Sequence, residues 1–238
     1  MWVKICGIRS LEDAEATTIA GADAVGLNFY PSSKRYISPA EAGQVVKTIQ
    51  RVSRQMNTVC PDIVGLFVNA TRDVILETIR VVGITAVQLH GDESPEFVQR
   101  LADEIPEISL IRAYRIDEQN AERVISEAER MIAVNGRVVL LMDAFIPGEY
   151  GGTGHSICPH VLKELRTLSG RCRLIIAGGL KPENLEQLFQ EMVPWGIDTA
   201  SGVESRPGIK DAVRVRAFIA AARSRQVNPV PFRLTRER

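Results

Sequence analysis

The chain has 238 residues, 45% of them apolar and 24% charged, and its 29 basic and 29 acidic side chains cancel. That balance excludes a disordered chain and a general nucleic-acid binder, which would need a basic surface. No apolar run approaches the roughly 18 residues of a membrane span, so neither nucleic acid nor membrane is an expected partner.

Short apolar runs rich in β-branched residues recur along the chain. The first, 2–6, starts at once, which leaves no room for a signal peptide. It precedes a helix opening at Ser10, an N-cap ahead of Leu11-Glu12-Asp13 with acids in the first turn. A second run, 24–29, leads through a long loop to Ser38-Pro39-Ala40-Glu41, a capping box with proline at the first helical position. Segment 51–61 extends that helix and its return loop and carries no assigned function. Strands at 63–68 and 86–90 precede helices opening at Thr71 and Ser94. Strands at 110–114 and 138–143 precede helices over 118–133 and 159–168. The seventh strand, 174–177, leads to a helix opening at Lys181-Pro182-Glu183-Asn184, and the eighth, 196–201, to a helix over 208–224.

Few of these runs alternate with polar residues, so they read as strands buried on both faces of a parallel sheet. Eight strand–helix units predict an α/β fold, a single (β/α)8 TIM barrel with eight parallel strands inside eight helices, over residues 1–224. An open doubly wound sheet is the structural rival. Residues 225–238 are expected to form an exposed or disordered tail. The four cysteines, Cys6, Cys60, Cys158 and Cys172, lack CxxC spacing and read as reduced thiols of a cytoplasmic protein.

In such a barrel the active site lies at the C-terminal ends of the strands. Those positions hold Cys6, Arg35 in the second loop, His90, Arg112 with Tyr114, Asp143, Gly178-Gly179, and Ser201-Gly202. Packing alone does not explain polar or glycine residues in seven separate loops. The glycine pairs after the last two strands predict a phosphate site built from backbone N–H groups; the plainer alternative is tight turns. The run Gly148-Glu149-Tyr150-Gly151-Gly152-Thr153-Gly154 is neither a P-loop nor a dinucleotide fingerprint, and is expected to form a wall or lid over the pocket.

Cys6 and Asp143 are the candidate acid–base pair. The competing readings are a small core hydrophobe for Cys6 and a structural hydrogen bond to a loop for Asp143. His90 suits a hydrogen-bonded wall residue or a proton shuttle. Asp198, inside the last strand, suits support of the phosphate loop or of nearby catalytic groups.

An ordered set of segments carries a resemblance. They are Val3-Lys4-Ile5-Cys6-Gly7-Ile8, Gly21-Ala22-Asp23-Ala24-Val25-Gly26, Phe29-Tyr30-Pro31 with Arg35-Tyr36-Ile37-Ser38, and Val87-Gln88-Leu89-His90-Gly91-Asp92-Glu93. Further on come Leu141-Met142-Asp143 with Gly151-Gly152-Thr153-Gly154, Ala177-Gly178-Gly179-Leu180, and Ser201-Gly202-Val203-Glu204-Ser205 with Pro207-Gly208. Together they resemble the phosphoribosylanthranilate isomerase family of tryptophan biosynthesis. The resemblance implies Cys6 as general base, Asp143 as general acid, and Arg35 beside the anthranilate carboxylate. It implies a phosphate site at Gly178-Gly179 and Ser201-Gly202. Lys34 stands where a proline is common in the family, and 155–159 lacks the expected aromatic pattern.

The implied reaction is an Amadori rearrangement needing an acid and a base but neither metal nor redox cofactor. The active base is a thiolate, so a cysteine titrating near 8.5 needs local stabilisation. Asp143 must hold a proton for its step, which burial favours. Two rivals stand beside this reading: the histidine-pathway aminoaldose isomerase on the same fold, which typically has an aspartate where this chain has Cys6, and a non-catalytic barrel that binds a phosphorylated metabolite. The expected partner is a small phosphorylated molecule, bound by a monomer or a homodimer.

Overall fold

The computed structural model, which describes residues 1–144 and 157–224, closes eight parallel strands into one barrel. They are β1 (Trp2–Cys6), β2 (Ala24–Asn28), β3 (Asp62–Phe67), β4 (Ala86–Leu89), β5 (Ser109–Ile116), β6 (Val139–Ala144), β7 (Leu174–Ile176) and β8 (Gly196–Thr199). Each pairs with the next, and β8 returns to β1 with Lys4 opposite Asp198. Around them run α1 (Leu11–Ile19), α2 (Pro39–Met56), α3 (Arg72–Val82), α4 (Pro95–Glu104), α5 (Ala121–Val134), α6 (Pro159–Leu165), α7 (Leu185–Glu191) and α8 (Ala212–Ser224). A hairpin of β9 (Glu204–Arg206) and β10 (Ile209–Lys210) lies between β8 and α8. The glycine-rich run 148–154 and the tail 225–238 lie outside the described residues.

The helix starts follow from their caps. Ser10 Oγ accepts from Asp13 N at 3.0 Å, Thr71 Oγ1 from Val74 N at 3.4 Å, and Ser94 Oγ from Phe97 N at 3.3 Å. Ser38 and Glu41 bond reciprocally as a capping box. Each such cap contributes about 0.5–2 kcal/mol by satisfying a donor the helix leaves open. Residues 51–56 are the last turns of α2, which stops where Asn57 turns left-handed at φ 52°.

Strand residues alternate between two cores, as the pleat requires. Outward side chains such as Val3, Ile5, Val87, Leu140 and Met142 pack against the helices. Inward ones, including Trp2, Val64, Ile111, Val139, Leu141 and Ile175, fill the lumen. Trp2 stacks on Trp195 at 5.3 Å between ring centroids, with the Arg173 guanidinium 5.5 Å from the Trp195 ring. That stack closes the N-terminal end of the barrel. Among the described residues, no helix is long and apolar enough to cross a membrane.

Candidate active site

The alternation that fills the lumen with Trp2, Val139 and Leu141 brings Cys6 and Asp143 to its other end. Trp2, Lys4 and Cys6 share one side of β1; Val139, Leu141 and Asp143 share one side of β6. Cys6 is 6% exposed and Asp143 4%. Both line one pocket with Arg35, His90, Gly178, Gly179, Asp198 and Ser201. Gly202 does not line it. That glycine backs onto the loop after β7, where a Cβ would stand 1.8 Å from the Leu180 carbonyl oxygen, so only glycine fits.

Two loops hold the rim. Gly178 has φ +88°, and a Cβ there would meet Ala144 N at 2.5 Å and Asp143 Oδ1 at 3.0 Å. The β7 loop is therefore folded tightly over the Asp143 carboxyl, a conformation open to glycine. Asn184 Nδ2 donates to the Gly179 carbonyl at 2.9 Å, and Thr199 Oγ1 donates to the Leu180 carbonyl at 2.7 Å. These bonds tie the β7 loop to the start of α7 and to β8. Ser201 opens a short 3-10 turn, Ser201–Val203, rather than ending the strand.

His90 follows β4 directly, its N–H bonded to the Phe67 carbonyl at 2.8 Å. Its Nδ1 lies 3.0 Å from Gln88 Nε2. With the amide in this orientation Nδ1 accepts, so the neutral ring carries its proton on Nε2. That nitrogen is 3.2 Å from Asp143 Oδ2, but off the line of a hydrogen bond. The pair is a close contact in this state, not a formed bond.

Arg35 reaches the pocket from the loop between β2 and α2. Asn28, at the end of β2, bonds Tyr30 N and the Ser33 hydroxyl, and Ser33 Oγ accepts from Arg35 N at 3.1 Å. The guanidinium already holds a carboxylate: its Nε and Nη2 donate to Glu204 at 2.7 and 2.8 Å. Lys210 Nζ donates to the same Glu204 at 2.9 Å and to the Ala200 carbonyl at 2.9 Å. Burial works against the Glu204 carboxylate, yet Arg35 and Lys210 hold it below the usual carboxylate range. Burial pulls the Lys210 ammonium below its ordinary value, with Glu204 opposing.

Asp198 faces the lumen, where its Oδ2 accepts from Lys4 Nζ at 2.8 Å. Asp198 Oδ1 has no partner among the described residues. Burial drags the Lys4 ammonium down, but Asp198 and Cys6 outweigh it and leave it above the ordinary lysine value. Burial pushes the Cys6 thiol up, against the pull of the Lys4 and Lys210 ammoniums.

Arg112 and Tyr114 are not part of this cluster. β5 continues to Ile116, and Arg112 Nη1 bonds the Leu89 and Gly91 carbonyls and Glu93 Oε2. This arginine fixes the β4 loop instead. Residues not anticipated as site members are Asn28, Ser33 and Gln88 on the pocket wall, with Lys4, Glu204 and Lys210 behind it. For Lys4 and Gln88 the signal was present, because each stands two residues before a candidate on the same strand face. Glu204 and Lys210 follow no such period.

The family model described as N-(5'phosphoribosyl)anthranilate (PRA) isomerase matches residues 3–221. The N-(5'-phosphoribosyl)anthranilate isomerase of Myxococcus xanthus (strain DK1622) is 40% identical over 222 residues, covering 93% of this chain and 96% of the relative. The crystal structure of phosphoribosyl anthranilate isomerase from Thermotoga maritima superposes with a TM-score of 0.75 at 35% identity, covering 94% of this chain and 99% of that one. A phosphoribosyl anthranilate isomerase in complex with reduced 1-(o-carboxyphenylamino)-1-deoxyribulose 5-phosphate matches with a TM-score of 0.72 at 34% identity, covering 94% of this chain and 99% of that one. The chain belongs to the N-(5'-phosphoribosyl)anthranilate isomerase family, a family of aldose–ketose isomerases.

Proposed function

We propose that this chain converts N-(5′-phosphoribosyl)anthranilate to 1-(2-carboxyphenylamino)-1-deoxyribulose 5-phosphate, the isomerase step of tryptophan biosynthesis, with Cys6 as general base and Asp143 as general acid. The observation that carries the reading is the meeting of a thiol and a carboxyl, from opposite parts of the barrel, in one buried pocket rimmed by glycine loops. Binding a phosphorylated metabolite needs neither group, and a simple packing role does not explain both.

Asp143 gives its proton to the ribose ring oxygen as the bond from that oxygen to C1′ breaks. The anthranilate nitrogen supplies the electron pair, forming a C1′=N iminium ion. The Cys6 thiolate then takes the proton from C2′. The C–H electrons form a C1′=C2′ double bond while the iminium electrons return to nitrogen, and the resulting enolamine tautomerises to the ketose. Each group changes protonation once, and general acid–base assistance of this kind contributes about 10²–10⁴-fold each. The rim of Gly178, Gly179 and Ser201 suits the 5′-phosphate. Arg35 suits the anthranilate carboxylate, with the fork toward Glu204 orienting what it presents. Asp198 and His90 are wall groups within reach of the substrate.

Incubation with phosphoribosylanthranilate tests the activity directly. Loss of anthranilate-type fluorescence at a rate proportional to protein is expected; fluorescence that persists would remove the proposed reaction.

A further inference from the structure

A buried lysine lies one layer beneath the proposed base, and the mechanism above does not use it. Lys4 is wholly enclosed and stands two residues before Cys6 on the lumen side of β1. Its ammonium reaches across the β1–β8 pairing to Asp198 Oδ2 at 2.8 Å. Gly26 on β2 marks how closely the lysine and the sulfur approach. A Cβ at that position would stand 2.8 Å from Cys6 Sγ and 3.0 Å from Lys4 Cε. Both side chains press on the same missing methyl group.

A charged pair in a barrel lumen is an expensive way to fill space, since apolar residues of similar volume often serve stability as well or better. Its use is therefore sought in electrostatics. Lys4 and Asp198 lie beneath Cys6, Lys210 faces it from β10, the Arg35–Glu204 fork lies beyond Lys210, and His90 and Asp143 share the pocket with it. The ammoniums of Lys4 and Lys210 favour the Cys6 thiolate and the Asp198 carboxylate opposes it.

We propose that Lys4, held by Asp198, is the cation that steadies the Cys6 thiolate, and so is a positioning residue for the base. Asp198 keeps the ammonium under the sulfur and at the same time tempers its pull. The inference rests on Cys6 being the base, as proposed above.

Alkylation of Cys6 by iodoacetamide in the full chain, without substrate, reads the thiolate itself. Mass spectrometry of the Cys6 peptide separates it from Cys60, Cys158 and Cys172. Lys4→Met should move the alkylation midpoint to higher pH by about one unit or more, and Lys4→Arg should return it toward wild type. Asp198→Asn removes the anion and leaves the ammonium, so it should move the midpoint to lower pH. A packing role predicts no such opposition of sign. Unchanged midpoints, or shifts in the same direction, would overturn the proposal. If Lys4→Met does not fold, Asp198→Asn decides alone: a zero or upward shift rejects it. An active Cys6→Ser enzyme would instead reject the base assignment, whichever way the midpoints move.

Discussion

The two ends of the barrel lumen are built from the same strands by the same alternation, yet they hold opposite chemistry. At the N-terminal end, Trp2 stacks on Trp195 above apolar neighbours such as Val64 and Ile175. At the C-terminal end the inward positions are Lys4, Cys6, Gln88, His90, Asp143 and Asp198, all buried. One end holds the barrel together through contact area. The other buries ionisable groups that work against stability and are kept in place by pairing, through Lys4–Asp198 and Arg35–Glu204–Lys210. Substitutions at the two ends should therefore fail in different ways.

The largest expected effect is at the polar end. Asp143→Asn keeps size and hydrogen bonding but removes the proposed proton donor, so kcat should fall by about 10²–10⁴-fold with little change in Tm. Steady-state kinetics beside a melting curve check both halves of that statement. At the closed end, Trp2→Ala should cost about 3–5 kcal/mol of stability while activity per folded molecule stays near wild type. Denaturant titration with an activity correction measures it. A Trp2 variant that stays stable but loses turnover would erase the contrast.

The next effects probe the rim. Arg35→Ala removes a charged hydrogen bond of about 1.5–3 kcal/mol, so kcat/KM should drop by about 10- to 150-fold. Arg35→Lys should recover little, because the fork that meets a carboxylate is lost. The smallest change is expected for Glu204→Gln, which keeps the shape but loosens the hold on Arg35. KM should rise by about tenfold or less with kcat nearly unchanged. A fall in kcat without a change in KM would mean that Glu204 acts on the chemistry rather than on the arginine.

Much of this contrast was legible in the sequence, and the part that was not has a physical reason. All eight strands announce themselves, because burial on both faces gives continuous apolar runs, and five helices open on caps or prolines that the chain displays openly. Strand ends are less visible. β5 runs two residues past Tyr114, and strand eight stops at Thr199 before Ser201 turns. Cys6 and Asp143 could be picked because they end strands. Arg112 occupies a similar position in sequence yet serves the Glu93 loop, because it shares the outward side of β5 with Leu110 and Tyr114 while Ile111 and Ala113 face the lumen. Pairings across the barrel stayed hidden: Lys4 meets a partner 194 residues away, and Arg35 meets Glu204 169 residues away. No local period reports contacts of that range.

The pH dependence of kcat/KM for the wild type and Cys6→Ser tests the central claim most directly. Burial holds the Cys6 thiol above its ordinary value, so the thiolate forms only as pH rises. Rate should therefore rise with pH along an alkaline limb as thiolate forms. Cys6→Ser should lose that limb and about 10²–10⁴-fold of activity while remaining folded. A Cys6→Ser enzyme with wild-type rates and an unchanged profile would contradict the account.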